Sequence, residues 1–226
     1  MNTFIFDLYN TLISIKTDEH AKRAWTPVVE FFKANGMKTD EERLCYEFDR
    51  YWKLFSERAA AEHKFQFPEC DCVTQFESMA RCVGGRLSRE KATEALRIFR
   101  RASTEWLRPF DGARALLDEL RAKGKGVYLL SNAQAAFTYD EISECGFDGA
   151  FDGMLISSEH GCRKPDPAYF EILFDKYGLD KKSAVMIGDD GWSDIQGATR
   201  FGIESLWVPD GAAAHRDDIL KLAEQK

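Results

Sequence analysis

Three short apolar runs that stop abruptly at polar side chains constrain this chain more than any other feature. Phe4-Ile5-Phe6 ends at Asp7, Val127-Tyr128-Leu129-Leu130 ends at Ser131-Asn132, and Ala184-Val185-Met186-Ile187 ends at Gly188-Asp189-Asp190. Runs of this length, apolar on both faces, read as strands buried within a parallel sheet. Gly153-Met154-Leu155-Ile156-Ser157 and Ser205-Leu206-Trp207-Val208, the latter closed by Pro209, are weaker candidates. Helical patterns alternate with them. Asp111 is the expected cap of a helix carrying Ala115, Leu116, Leu117 and Leu120 and stopped at Gly124; Asp166-Pro167 has the same look before Tyr169, Phe170, Leu173 and Phe174. Strands and helices in alternation predict an α/β fold around a central parallel sheet.

From about Ser14 to Trp106 the period changes. Apolar residues recur at helical spacing (Trp25, Val28, Val29 and Phe32; Phe48, Tyr51, Trp52 and Phe55; Leu96 and Phe99), Pro68 and Gly84-Gly85 mark breaks, and no strand-like run appears until Gly126. The expected organisation is a Rossmann-like core over residues 1–14 and 107–226 with an all-α insert over 15–106, the chain crossing near Ser14 to Lys16 and near Trp106 to Pro109. Aromatic residues at helical spacing are read as the insert's own core. A chain of 226 residues suits one core domain with a sizeable insertion.

Composition narrows the partners. With 44% hydrophobic and 31% charged residues the chain has the makeup of a folded globular protein, and a formal charge of −7 opposes nucleic acid or an anionic membrane as main partner. MNTFIFDLYN lacks the basic and apolar segments of a signal peptide, and no window reaches the length of a membrane span, so a cytoplasmic location is expected. The six cysteines are then read as reduced, structural or incidental thiols; Cys70-Asp71-Cys72 has neither zinc-site nor redox-motif spacing.

In open α/β sheets ligands bind beyond the carboxyl ends of the strands, where Asp7, Ser131, Asn132, Asp189 and Asp190 are predicted to gather. These residues are part of four ordered motifs: Asp7-Leu8-Tyr9-Asn10-Thr11; Ser131 with Asn132; Lys164-Pro165; and Gly188-Asp189-Asp190-Gly191-Trp192-Ser193-Asp194, continued by Gly197-Ala198. Together they resemble the haloacid dehalogenase-like superfamily, whose members are mostly phosphatases. The resemblance implies a helical cap inserted after the first motif and Asp7 as covalent nucleophile toward phosphorus. It implies Mg2+ held by Asp7, the backbone carbonyl of Tyr9 and Asp189, with Asp194 or Asp190 directly or through water. Lys164 would neutralise charge and orient Asp7, and Thr11, Ser131 and Asn132 would hold phosphoryl oxygens. The implied partner is a small phosphorylated molecule, the protein acting as monomer or homodimer. Lys22, Arg23, Arg50, Lys53 and Arg58 are the nearest cap cations in sequence, and charged helix residues of this kind usually face water.

One position departs from the pattern. Most phosphatases of the family carry a second aspartate two residues after the nucleophile, as acid to the leaving group and then base for water; here it is Tyr9, a poor base at neutral pH. Tyrosine there resembles the true haloacid dehalogenases, which attack carbon and need no metal, whereas the acidic Asp189-Asp190 resembles the metal-using members. Three readings follow: a Mg2+-dependent phosphatase or phosphotransferase, a metal-independent 2-haloacid dehalogenase, and a non-catalytic binding or regulatory protein on the same fold.

Overall fold

The computed structural model describes residues 1–62 and 64–224. In chain order the elements are β1 (Thr3–Phe6), β2 (Ile13–Thr17), α1 (Lys22–Ala34), α2 (Glu41–Glu62), α3 (Cys72–Cys82), α4 (Arg89–Ser103), β3 (Thr104–Pro109) and α5 (Ala113–Ala122). There follow β4 (Gly126–Ser131), α6 (Ala135–Glu144), β5 (Gly153–Ile156), α7 (Pro167–Tyr177), β6 (Ala184–Gly188), α8 (Gly197–Phe201), β7 (Glu204–Trp207) and α9 (Arg216–Glu224). The chain divides into two compact units. The first comprises Met1–Ile15, Phe65–Glu69 and Leu107–Lys226; the second comprises Lys16–Lys64 and Cys70–Trp106.

The first unit is built on a five-stranded sheet in the order β5-β4-β1-β6-β7, with every neighbouring pair parallel. Side chains alternate between its faces. Phe4, Phe6, Val127, Leu129, Val185 and Ile187 pack with Leu116, Leu117 and Leu120 of α5 and Ile219 of α9, while Ile5, Leu130 and Met186 pack with Phe170 and Leu173 of α7 and Phe201 of α8. Both faces are covered, which is why the strands read as continuous apolar runs rather than as alternating ones. β1 lies at the centre between β4 and β6, so strand order reverses on either side of it and the three motif-bearing strands end side by side. Asp166 accepts a hydrogen bond from Ala168 N and precedes Pro167 at the start of α7, as its sequence predicts.

The second unit is helical apart from its shares of β2 and β3. Trp25, Phe48, Phe76 and Phe99 form an aromatic centre, with ring centroids 4.4 Å apart for Trp25–Phe99 and 5.7 Å for Phe76–Phe99. Val28, Val29 and Phe32 of α1 are buried at the spacing read from the sequence. Rings of this size bury enough apolar area to contribute about 1.5–3 kcal/mol each, which assigns them to packing.

Three expectations are corrected. β2, Ile13–Thr17, and β3, Thr104–Pro109, both lie where no strand was expected before Gly126; they pair in a two-stranded sheet whose half-buried and exposed side chains leave no long apolar run to detect. The cap of α5 is Gly112 in the left-handed conformation (φ 83°) rather than Asp111, because a positive φ at the last residue before the helix suits glycine and displaces the aspartate by one place. The segment Phe65–Glu69 joins the first unit, since its backbone pairs with 161–163: Glu69 N donates to Gly161 O at 3.0 Å and Arg163 N to Phe67 O at 3.0 Å. Among the described residues no helix is long and apolar enough to cross a membrane.

Candidate active site

Asp7 follows directly on β1, and its backbone N donates to Ile187 O at 2.9 Å, so the central ladder continues one residue past the strand and fixes where the carboxylate emerges. Lys164 Nζ reaches Asp7 Oδ1 at 2.6 Å and Asp194 Oδ1 at 2.7 Å. All three side chains are withdrawn from water, at 1% exposure for Lys164, 12% for Asp7 and 0% for Asp194. Burial pushes the Asp7 carboxyl up to about 7, with the charges of Asp194 and Asp189 adding to the rise and Lys164 opposing it. Burial alone would lower Lys164, but Asp194 and Asp7 outweigh it and hold the ammonium above its ordinary value.

Each neighbour is itself held by a second residue. Asn132 clamps the backbone of Lys164, accepting from Lys164 N at 2.8 Å and donating from Nδ2 to Lys164 O at 3.0 Å. Thr11 Oγ1 accepts from Asp189 N and donates to Asp189 Oδ1, both at 3.1 Å. Trp207 Nε1 donates to Asp189 O at 2.7 Å. Asp189 is raised by burial and by the charge of Asp194. Asp194 arrives on a single π-helical segment, Gly191–Gln196, and its Oδ2 accepts from Asp190 N at 3.1 Å. Gly188 is needed for that approach, because a Cβ there would lie 2.1 Å from Asp194 Oδ2.

One oxygen from each of Asp7, Asp189 and Asp194 lies within 4.8 Å of the others. Three carboxylates facing one lysine leave excess negative charge in a largely buried site, and a donor set made only of oxygen suits a hard divalent cation. Asp190 takes another place: its Oδ1 accepts from Trp192 N at 2.7 Å and Ser193 N at 3.1 Å, capping the segment that carries Asp194. Ser131 is fully buried and its Oγ finds no hydrogen-bond partner among the described residues, while its carbonyl is anchored by the Tyr169 hydroxyl at 3.0 Å. An orphan hydroxyl at a strand end beside Asp7 has the form of a group awaiting a ligand oxygen.

Tyr9 turns its phenol toward α6, where the hydroxyl donates to Glu141 Oε2 and lies 3.1 Å from Thr138 Oγ1. Sequence reasoning missed Glu141 and Thr138. Both are buried, and they share a helix face three residues apart, but nothing in the motifs links that face to Tyr9.

Comparison with known proteins agrees with this geometry. The model of the haloacid dehalogenase-like hydrolase family matches residues 1–202. A glyceraldehyde 3-phosphate phosphatase of Pyrococcus abyssi is 24% identical over 211 residues, 93% of this chain and 82% of that protein. A phosphoserine phosphatase of Thermus thermophilus is 33% identical over 99 residues, 44% of this chain and 40% of that protein. The solved structure of a 2-haloacid dehalogenase from Pseudomonas syringae shares the fold with a TM-score of 0.64 at 20% identity, covering 92% of this chain and 86% of that one. The chain belongs to the haloacid dehalogenase-like hydrolases.

Proposed function

We propose that this haloacid dehalogenase-like hydrolase is a Mg2+-dependent phosphatase that acts on a small phosphorylated molecule through an aspartyl-phosphate at Asp7. The observation that carries this reading is the convergence of Asp189 and Asp194 on Asp7. Attack on carbon with loss of halide needs a nucleophilic carboxylate, a cation such as Lys164 and one acid as base for the water that releases the product, which leaves a third acid, half-buried Asp189 or buried Asp194, without a task. The phosphatases among the curated relatives support the same side.

In the reaction an Asp7 carboxylate oxygen attacks phosphorus, the bond from phosphorus to the ester oxygen breaks, and the leaving oxygen departs with the bonding pair. Water then attacks phosphorus, the bond to Asp7 breaks, and inorganic phosphate and the free carboxylate return. Lys164 orients Asp7 and neutralises charge on the phosphoryl group, and Ser131 Oγ donates to a phosphoryl oxygen. Asn132 acts through its clamp on Lys164, and Thr11 through Asp189. Asp7, Asp189, Asp194 and the Tyr9 carbonyl would hold Mg2+, which would offset the repulsion between the Asp7 carboxylate and the phosphoryl oxygens. Asp190 supports Asp194 by capping.

Tyr9 is assigned to shaping the site rather than to acid catalysis, because its proton is directed at Glu141. The leaving oxygen is then protonated by water. Esters of alkyl alcohols should therefore lag acyl phosphates and aryl esters by about the 10²–10⁴-fold that a general acid supplies.

The test is a phosphate panel spanning leaving-group acidity, with and without Mg2+, on wild type, Asp7→Asn and Tyr9→Asp, beside halide release from 2-haloacids without metal. Mg2+-stimulated phosphate release that falls at least about 10⁴-fold in Asp7→Asn is expected. A folded wild type that releases no phosphate from any member, or that releases halide without metal, would overturn the assignment.

A further inference from the structure

We propose that the second unit carries its own metal site, formed by His20, Cys45 and Asp49 and suited to zinc. One donor atom from each, an imidazole nitrogen, a thiol sulfur and a carboxylate oxygen, lies within 4.8 Å of the others. His20 Nε2 and Asp49 Oδ1 are 3.4 Å apart. Two donors that each sit about 2.0–2.1 Å from a tetrahedral zinc are about 3.3–3.4 Å apart, so this pair already spans one edge of such a site. The Cys45 sulfur, which also lies within hydrogen-bonding reach of the Trp25 side chain, supplies the third donor beside this pair.

The scaffold suits the task. Cys45 and Asp49 are four residues apart on α2 and present their donors from one helix face, an arrangement that recurs in helical metal sites. His20 comes from the loop before α1, where Asp18 Oδ1 accepts from His20 N at 3.2 Å and from Ala21 N at 3.0 Å. That turn aims the imidazole, and the buried Trp25 holds the same loop by donating from Nε1 to Glu19 O at 2.8 Å. The three donors border a cavity of about 760 Å³, whose lining also carries the carboxylates of Asp40, Glu41 and Glu42 and the ammonium of Lys22. A cation entering it meets net negative charge and finds room for a water or a further ligand in the fourth position.

Donor chemistry selects the ion. A thiolate and an imidazole favour borderline d-block cations such as zinc over Mg2+, which the oxygen-only cluster of the first unit favours. Binding converts the Cys45 thiol to thiolate and releases its proton to water. A bound ion would join the loop before α1 to α2 and leave one coordination position facing the cavity. The inference rests on the second unit alone and stands whether or not the phosphatase reading does.

Cobalt is the probe, because a thiolate ligand gives a ligand-to-metal absorption that oxygen ligands lack. Reduced full-length protein is titrated with Co2+ under excess Mg2+, which occupies the carboxylate cluster, and Zn2+ affinity is measured by competition with a chelating dye. One equivalent of the thiolate band is expected in wild type and none in Cys45→Ser. His20→Ala and Asp49→Asn, whose side chains are 68% and 55% exposed and can change without unfolding the chain, should each weaken Zn2+ by at least about tenfold. A wild type without the band, a band that persists in Cys45→Ser, or unchanged Zn2+ affinity in both other variants would overturn the site.

Discussion

Lys164 in the first unit and Glu47 in the insert are both buried charges flanked by two residues of opposite sign, and they sit in opposite situations. Glu47 is 2% exposed, but its partners Arg43 and Arg50 are 50% and 40% exposed, so most of the cluster's charge stays hydrated. Around Lys164 all three groups are withdrawn from water, and the site holds more carboxylate than cation. A half-solvated cluster costs little to assemble and serves as a surface clasp; a fully desolvated one with surplus charge is stable only with a compensating ligand.

The sharpest way to break this contrast is Lys164→Met. Removing the lysine leaves Asp7 and Asp194 buried together without a cation, which should lower metal-free stability by about 3–5 kcal/mol in urea unfolding, with Mg2+ restoring part of it. A loss under about 1 kcal/mol would place the core cluster in the same class as a surface pair.

Next in size is a pH effect peculiar to the core. Asp7 ionises near 3.8 when unfolded and at about 7 in the folded, metal-free chain. A raised carboxyl binds more protons folded than unfolded, so its contribution is greatest below pH 4 and is lost progressively as pH rises to about 7. Lys164 is raised from an already alkaline value and stays charged throughout this window. The unfolding midpoint without metal should fall from pH 5 to pH 7, and saturating Mg2+ should flatten that slope because the cation takes the place of the proton. An identical slope with and without Mg2+ would count against metal binding at Asp7.

The two regions also differed in how much of them could be read beforehand. The sheet, its motif-bearing strand ends and the meeting of Asp7 with Asp189 were legible because a buried parallel strand must be apolar on both faces and must stop where polar chemistry begins; Lys164, which lies in a loop, was reached only through the resemblance of its motif. The helix faces of the insert were legible for a similar reason, from the spacing of Trp25, Val28, Val29 and Phe32. What escaped depends on contacts distant in sequence that leave no periodic trace. Nothing near Phe67 signals that its amide will donate to Asp166 Oδ2. Nothing near Tyr9 signals Glu141, and nothing near Cys45 signals His20.

Tyr9→Phe gives a smaller effect. Losing the hydroxyl removes a hydrogen bond to the buried carboxylate of Glu141, worth about 1–2 kcal/mol in urea unfolding. With the phenol in a shaping role, kcat under saturating Mg2+ should change by less than the roughly 10²-fold floor of a lost general acid. A larger fall in kcat with an alkyl ester than with an aryl ester would instead return Tyr9 to acid catalysis.

The smallest expected effect lies in the insert and is the most discriminating. In Arg50→Ala, Glu47 keeps Arg43, whose Nη2 lies 2.6 Å from Glu47 Oε1, and the lost contacts from Arg50 to Glu47 and to Cys82 Sγ belong to a half-exposed side chain. The urea midpoint should stay close to wild type. In the double variant Arg43→Ala with Arg50→Ala, Glu47 remains buried with neither arginine, which is the position Asp7 and Asp194 occupy in Lys164→Met. Its midpoint should fall by clearly more than the two single variants together, since either arginine alone suffices to compensate Glu47. Additive single effects would mean that Glu47 is hydrated well enough to need neither partner, and that desolvation distinguishes the two clusters even more strongly than their flanking charges do.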